Sequence, residues 1–186
     1  MRSNKNLLLT LLMMIVIAAL YRVIPDRQPG FAPHWALALF GGAAIRDKRL
    51  AFALPVFSMF ISDVIYHLLY INGMTDIPGF YSGQFTNYLL FAGVTLIGFL
   101  MKRITVINVV LYSFAVCTVF FLLSNFFVWN SGGGWGRPHT FAGMIQAYMD
   151  GLPFYGVSIA ATLVFSAILF SAWKLITAGF KPLVNQ

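Results

Sequence analysis

Glutamate is missing from this sequence altogether, and all five acidic residues are aspartates: Asp26, Asp47, Asp63, Asp76 and Asp150. No two of them form the paired-carboxylate arrangement that general acid–base chemistry uses. No GxSxG elbow is present, and the glycine run at 132–134 lacks the Lys and Thr that would make it a phosphate cradle. Cysteine occurs once, as Cys117 in the middle of an apolar run, which excludes a disulfide framework and a thiolate metal site and reads as a small buried apolar residue. Without an HExxH motif or a Cys/His cluster, no metal site is implied, although Asp63 and His67 could share an ion or a proton and His34 and His139 fall on neighbouring segments. The chain is expected to be no enzyme and to carry no cofactor.

Charge is scarce as well. Only 9% of residues are charged while 60% are hydrophobic, and the mean hydropathy is +0.82. No soluble domain of 186 residues has that balance, so the chain is a polytopic membrane protein forming one domain over 1–186. The net charge of +7 reflects missing acids as much as present bases. The bases fall in short clusters between apolar runs, as topology determinants do, and not on a nucleic-acid face.

Six apolar runs follow one another. Leu7 to Leu20, extended to Ile24 if Arg22 snorkels, reads as a retained first helix and not a cleaved signal peptide. Pro25 and Pro29 break the chain after it. Phe31 to Ile45 is apolar but only 15 residues long, short of the ~20 that cross a bilayer, so a short, tilted or re-entrant second span is expected. Its Ala36, Ala38, Gly41, Gly42, Ala43 and Ala44 offer a close-packing surface. Leu50 to Tyr70, with Pro55 as a kink, Gln84 to Met101, Ile104 to Trp129 and Leu152 to Ala178 complete the set. Between the last two, Thr140 caps a predicted short amphipathic helix near 140–149, with Phe141, Met144, Ile145 and Tyr148 at helical spacing, hinged by the glycines at 132–134 and able to act as a lid. The fold expected is an all-α bundle of six transmembrane helices.

Sidedness follows from the bases. Arg2, Lys5, Arg46, Lys48, Arg49, Lys102, Arg103, Lys174 and Lys181 fall on one side and Arg22, Arg27 and Arg137 on the other, nine against three, which places both termini in the cytoplasm. Polar chemistry then gathers on the outer side. Asp63 and His67 are the sharpest signal: an ionisable group at bilayer depth costs about 3 kcal/mol and normally faces protein, water or a ligand. Their spacing of four puts them on one helix face. With Asn87, Asn125, Trp129, Tyr148, Asp150 and Arg27 in the same layer, they are expected to line an outward-facing pocket for a small polar solute. Each also has a plainer reading: a structural Asp63–His67 pair, an interhelical hydrogen bond from Asn125, an interface anchor in Trp129.

The segments FAPHWALALFGGA (31–43), Pro55 with Ser62 and Asp63, SNFFVW (124–129) and GMIQAYMDGLPFY (143–155), taken together over roughly residues 27–170, resemble an uncharacterised family of small six-span bacterial membrane proteins. That family is similar to the substrate-capture (S) subunits of energy-coupling-factor vitamin transporters. The resemblance implies a location in the bacterial inner membrane, a vitamin-like solute taken up from outside, and partnership with a transmembrane coupling protein and two cytoplasmic ATPases. In those subunits the first helix docks through an Ala-x-x-x-Ala surface; here the first span has only adjacent Ala18 and Ala19, and Ala32 and Ala36 have the spacing in the second segment. The alternative function is an accessory or structural subunit of a larger membrane complex that binds partner proteins and lipid or pigment. Membrane lipids surround it in either case.

Overall fold

A computed structural model describes residues 2–179, with side chains described from 8 to 175. Lys181 and the side chains of Arg2 and Lys5, counted above on the cytoplasmic side, lie outside the described residues. The chain forms α1 (Arg2–Arg22), α2 (His34–Ala44), α3 (Lys48–Ile71), α4 (Gln84–Leu100), α5 (Val106–Asn130) and α6 (Phe141–Gly179), with no strand among the described residues. The starts are set by local chemistry. Asp47 accepts from the amides of Arg49 (2.9 Å) and Leu50 (3.4 Å) at the head of α3, Thr105 caps α5 through Asn108 (3.2 Å), and Thr140 caps α6 through Gly143 (3.1 Å). Successive helices alternate in direction, so loops 23–33, 72–83 and 131–140 gather at one end and the short links 45–47 and 101–105 at the other.

α2 is the centre of the bundle. It packs against α3, α4, α5 and α6, and His34 together with residues 36–42 is buried. Its glycines permit this. A Cβ at Gly41 would stand 2.7 Å from the Ala51 carbonyl oxygen, one at Gly42 2.7 Å from the Gly98 Cα, and one at Gly98 2.6 Å from the Leu39 carbonyl. The Ala51 carbonyl is the one that Pro55, lacking an N–H, leaves without its helical donor, and the missing side chain at Gly41 lets α2 close over it. α3 continues unbroken through Pro55.

Among the described residues, fewer helices than the six expected are long and apolar enough to cross a membrane, namely three: Lys48–Ile71, Val106–Asn130 and Phe141–Leu175. Gln84–Leu100 is a shorter apolar helix, as is Leu8–Arg22, the part of α1 whose side chains are described. α2, with 11 residues, reaches only about 16 Å, half the hydrocarbon thickness. Its shortness is tolerable because protein surrounds it. α5 by contrast turns Val106, Ile107, Leu111 and Leu122 outward, an apolar exterior suited to lipid.

The separate amphipathic helix expected near 140–149 does not exist. Residues 141–150 are the first turns of α6, a single 39-residue helix of roughly 58 Å that runs through Gly151 and Pro153. Contacts with α5 hold both sides of the proline. Tyr148 donates to the Leu122 carbonyl (3.0 Å), Phe121 stacks on Tyr148 and Tyr155, and Gly151 leaves room for the Asn125 side chain. Pro153 removes one hydrogen bond without ending the helix, so these residues are not a free lid.

Gly42→Ala should destabilise the bundle by roughly 1–3 kcal/mol because the backbones of α2 and α4 must part. Gly93→Ala on α4, where a Cβ meets nothing within 4 Å, should be neutral or gain up to about 1 kcal/mol. Thermal melting in detergent separates the two; equal effects would contradict the packing described.

Candidate functional site

Asp63 is 1% exposed and both of its oxygens are occupied. Oδ1 pairs with the Arg22 guanidinium from the end of α1; Oδ2 accepts from the Gln84 amide and, at 2.7 Å, from the Tyr88 hydroxyl, both on α4. Arg22 also donates to Ser62 Oγ (2.6 Å) and lies over the Tyr66 ring, its Cζ 5.5 Å from the centroid, while Tyr66 donates to the Arg22 carbonyl (2.8 Å). One carboxylate thus ties three helices together. Loop 72–83 closes over it at Gly79, where a Cβ would collide with the Asp63 carbonyl and the His67 amide.

Next to this cluster, loop 23–33 bends round Arg27. Its guanidinium donates to the carbonyls of Arg22 (3.2 Å), Gln28 (3.1 Å) and Phe31 (2.6 Å), fixing the loop by its own backbone. Between this loop, α2 and α5 lies a cavity of about 350 Å³ whose lining includes Arg22, Arg27, His34, Trp35, Asn87 and Ser124. Its aromatic wall is a cluster: Trp35 to Phe120 at 5.2 Å, Phe91 to Phe120 at 5.2 Å and Trp35 to Phe91 at 5.8 Å between centroids.

A second cavity, about 210 Å³, shares Gly30, Trp35, Phe120 and Ser124 with the first and continues past Cys117, Asn125 and Tyr155. A third, about 180 Å³, shares Asn125, Gly151 and Phe154 with the second and ends at Trp129, Trp135, Arg137 and Asp150. The three adjoin one another through these shared residues and together make an elongated cleft beneath the long loops. Its far end is latched. Arg137 and Asp150 make a two-pronged ion pair (2.7 and 2.9 Å), and Trp129 donates through Nε1 to the Pro138 carbonyl (2.9 Å). The hydrogen bond to Asp150 lifts Arg137 above its already high pKa.

Five of the eight residues singled out in the sequence line this cleft: Arg27 and Asn87 at one end, Asn125 in the middle, Trp129 and Asp150 at the other. Three do not. Asp63 is spent on protein partners and reaches the cleft only through Arg22. His67 is exposed and meets Phe80 edge to face at 5.8 Å, so the Asp63–His67 pairing on one face does not form. Tyr148 spends its hydroxyl on the Leu122 carbonyl. Arg22, His34 and Trp35 were the residues that sequence reasoning missed as site components. The signal for Arg22 was a cation closing an apolar run at the same end of the bundle as a lone buried carboxylate.

The fold and cleft define a class: an all-helical membrane protein with a half-length central helix and an aromatic-walled cleft at one end. The chain belongs to the family of unknown function DUF6580, whose profile matches residues 2–183. No curated protein and no solved structure matches it.

Replacing Asp63 by Asn leaves Arg22 without its counterion, and Arg22→Gln strands a buried carboxylate; each should destabilise by roughly 3–5 kcal/mol. The double variant should recover most of the loss, since no charge is then stranded. Melting of the four proteins in detergent gives the coupling, and additive losses would show the pair to be incidental.

Proposed function

We propose that this protein resides in the bacterial inner membrane with its long-loop end outward, captures a small polar or vitamin-like solute in the cleft, and serves its uptake as the S subunits of energy-coupling-factor transporters do. The observation that carries this reading is the cleft itself, in which polar groups from loop 23–33, α4, α5 and α6 converge on walls of Trp, Phe and Tyr, the usual make-up of a small-molecule site. In this role Arg27, Asn87 and Asn125 orient the solute, Trp35 and Phe120 stack on it, and the Arg137–Asp150 latch bounds the far end. Asp63 is a positioning residue acting through Arg22.

One observation favours the second reading, an accessory subunit of a larger complex. Ala18, Ala19, Ala32 and Ala36, the small residues through which a coupling protein could dock, are all buried inside the bundle. Co-purification distinguishes the two, with ATPase subunits pointing to transport and a large assembly without them to the accessory role.

Native mass spectrometry of the protein purified from bacterial membranes should show a non-lipid small-molecule adduct. Asn125→Leu, which fills the middle of the cleft, should cut its occupancy about tenfold while the protein still melts cooperatively. A wild-type protein without any such adduct, in cells whose solute uptake is unchanged by deletion, would end this proposal.

A further inference from the structure

The end of the cleft at Arg27 has an unbalanced charge, which the rest of it lacks. No acidic residue lines the 350 Å³ cavity, whereas Arg22 and Arg27 both do. Arg22 is matched by Asp63. Arg27 has no such match: among the described residues the ion pairs are Arg22–Asp63 and Arg137–Asp150, and the hydrogen bonds of Arg27 all go to neutral carbonyls. Its sequence neighbour Asp26 is exposed and makes no ion pair with it. The cavity therefore holds one positive charge that nothing in the surrounding protein neutralises.

α2 begins at the same cavity. Pro33 occupies its N-cap position and no side chain caps it, so the amides of the first turn and the positive end of the helix dipole meet the cavity wall without the oxygen that usually satisfies them. Half-length helices at membrane depth use their N-termini for anionic groups in this way. One further group stands idle there. Trp35 lines the cavity and its Nε1 is buried without any hydrogen-bond partner, whereas the adjacent His34 is held by the Ser58 backbone. A buried polar atom without a partner is rare in a folded protein, and this one sits at an uncapped helix start beside an unmatched arginine. The Trp35 indole can only donate, and so can the guanidinium and the amides.

We propose that this cavity binds the carboxylate of a small organic acid with a flat apolar body: the carboxylate between Arg27, the first turn of α2 and the Trp35 indole, the body against the Phe91 and Phe120 rings. The inference rests on the solute-capture reading and narrows it to a class. A volume of about 350 Å³, adjoining the 210 Å³ cavity beyond, accommodates an acid of one or two rings. The uncharged amide of the same acid is disfavoured, because it leaves Arg27 unmatched and brings an N–H donor among donors.

The test uses the full-length protein in detergent and acid–amide pairs of equal shape: benzoate with benzamide, 4-aminobenzoate with 4-aminobenzamide, indole-3-acetate with indole-3-acetamide. Binding is read by quenching of tryptophan fluorescence and by thermal shift. At least one acid should bind about tenfold or more tightly than its amide. Arg27→Gln should erase that preference and Arg27→Lys keep part of it, while Trp35→Phe, read by thermal shift, should weaken the acid several-fold with the melting temperature of the free protein little changed. Inorganic phosphate, and nanodiscs with and without phosphatidylglycerol, separate a carboxylate site from a general anion or lipid-headgroup site: displacement of the acid by either at comparable concentration overturns the proposal. So does a panel in which no acid is preferred over its amide. If native mass spectrometry nevertheless shows an uncharged solute lost in Asn125→Leu, the anion inference alone fails and solute capture stands.

Discussion

A carboxylate that is 1% exposed, in a helix long enough to cross a membrane, is the constraint around which the long-loop end is built. Unpaired, it would be among the most expensive groups in the protein; paired, it dictates its surroundings. The end of α1 must deliver Arg22, α4 must start where Gln84 and Tyr88 can reach Oδ2, and loop 72–83 must carry glycine at 79 to pass over the α3 backbone. Because the Arg22 carbonyl then accepts from Tyr66 and Arg27, the ion pair also fixes where loop 23–33 departs. That loop roofs the cleft. The electrostatic solution inside the bundle and the shape of the site are one arrangement.

α2 supplies the other half of that arrangement. A helix of 11 residues leaves part of the bundle's height unfilled, and the space above its N-terminus is where the cavity lies. Its C-terminal half is held by glycine contacts with α3 and α4 that leave little freedom for tilting, so the uncapped end points into the cavity as a fixed dipole.

How much of this was legible beforehand depended on the range of the interaction. Local signals carried well: the apolar runs, the short second segment, the cap Thr140 and the packing glycines are all properties of neighbouring residues. Asp63 stood out because its apolar context was itself local. What it binds was not legible, since Arg22 lies 41 positions away and reads on its own as a snorkelling residue at an interface. The placement of His67 beside Asp63 failed for a geometric reason. Residues four apart on a helix differ by about 40° around the axis, and at the edge of a bundle that turn moves a side chain from the interior to the outside. The 140–149 segment was misjudged because its amphipathic pattern is real while the glycine and proline after it suggest a break. α5 overrides that suggestion through contacts that no local pattern encodes. His34 and Trp35 were overlooked because an apolar run with one histidine resembles ordinary core, and only the absence of a partner for the Trp35 indole in three dimensions marks them.

The most direct measurement is an experimental density map, at about 3 Å or better, of the protein purified from its native membrane with lipid retained; side chains are close-packed enough for their rotamers to be read at that detail. The structure predicts Arg22 turned inward onto Asp63 and a compact, non-lipid density in the cleft between Arg27, Trp35 and Asn125. Acyl chains filling that cleft, or side chains collapsed to close it with Arg22 turned toward lipid, would contradict solute capture at this end of the bundle.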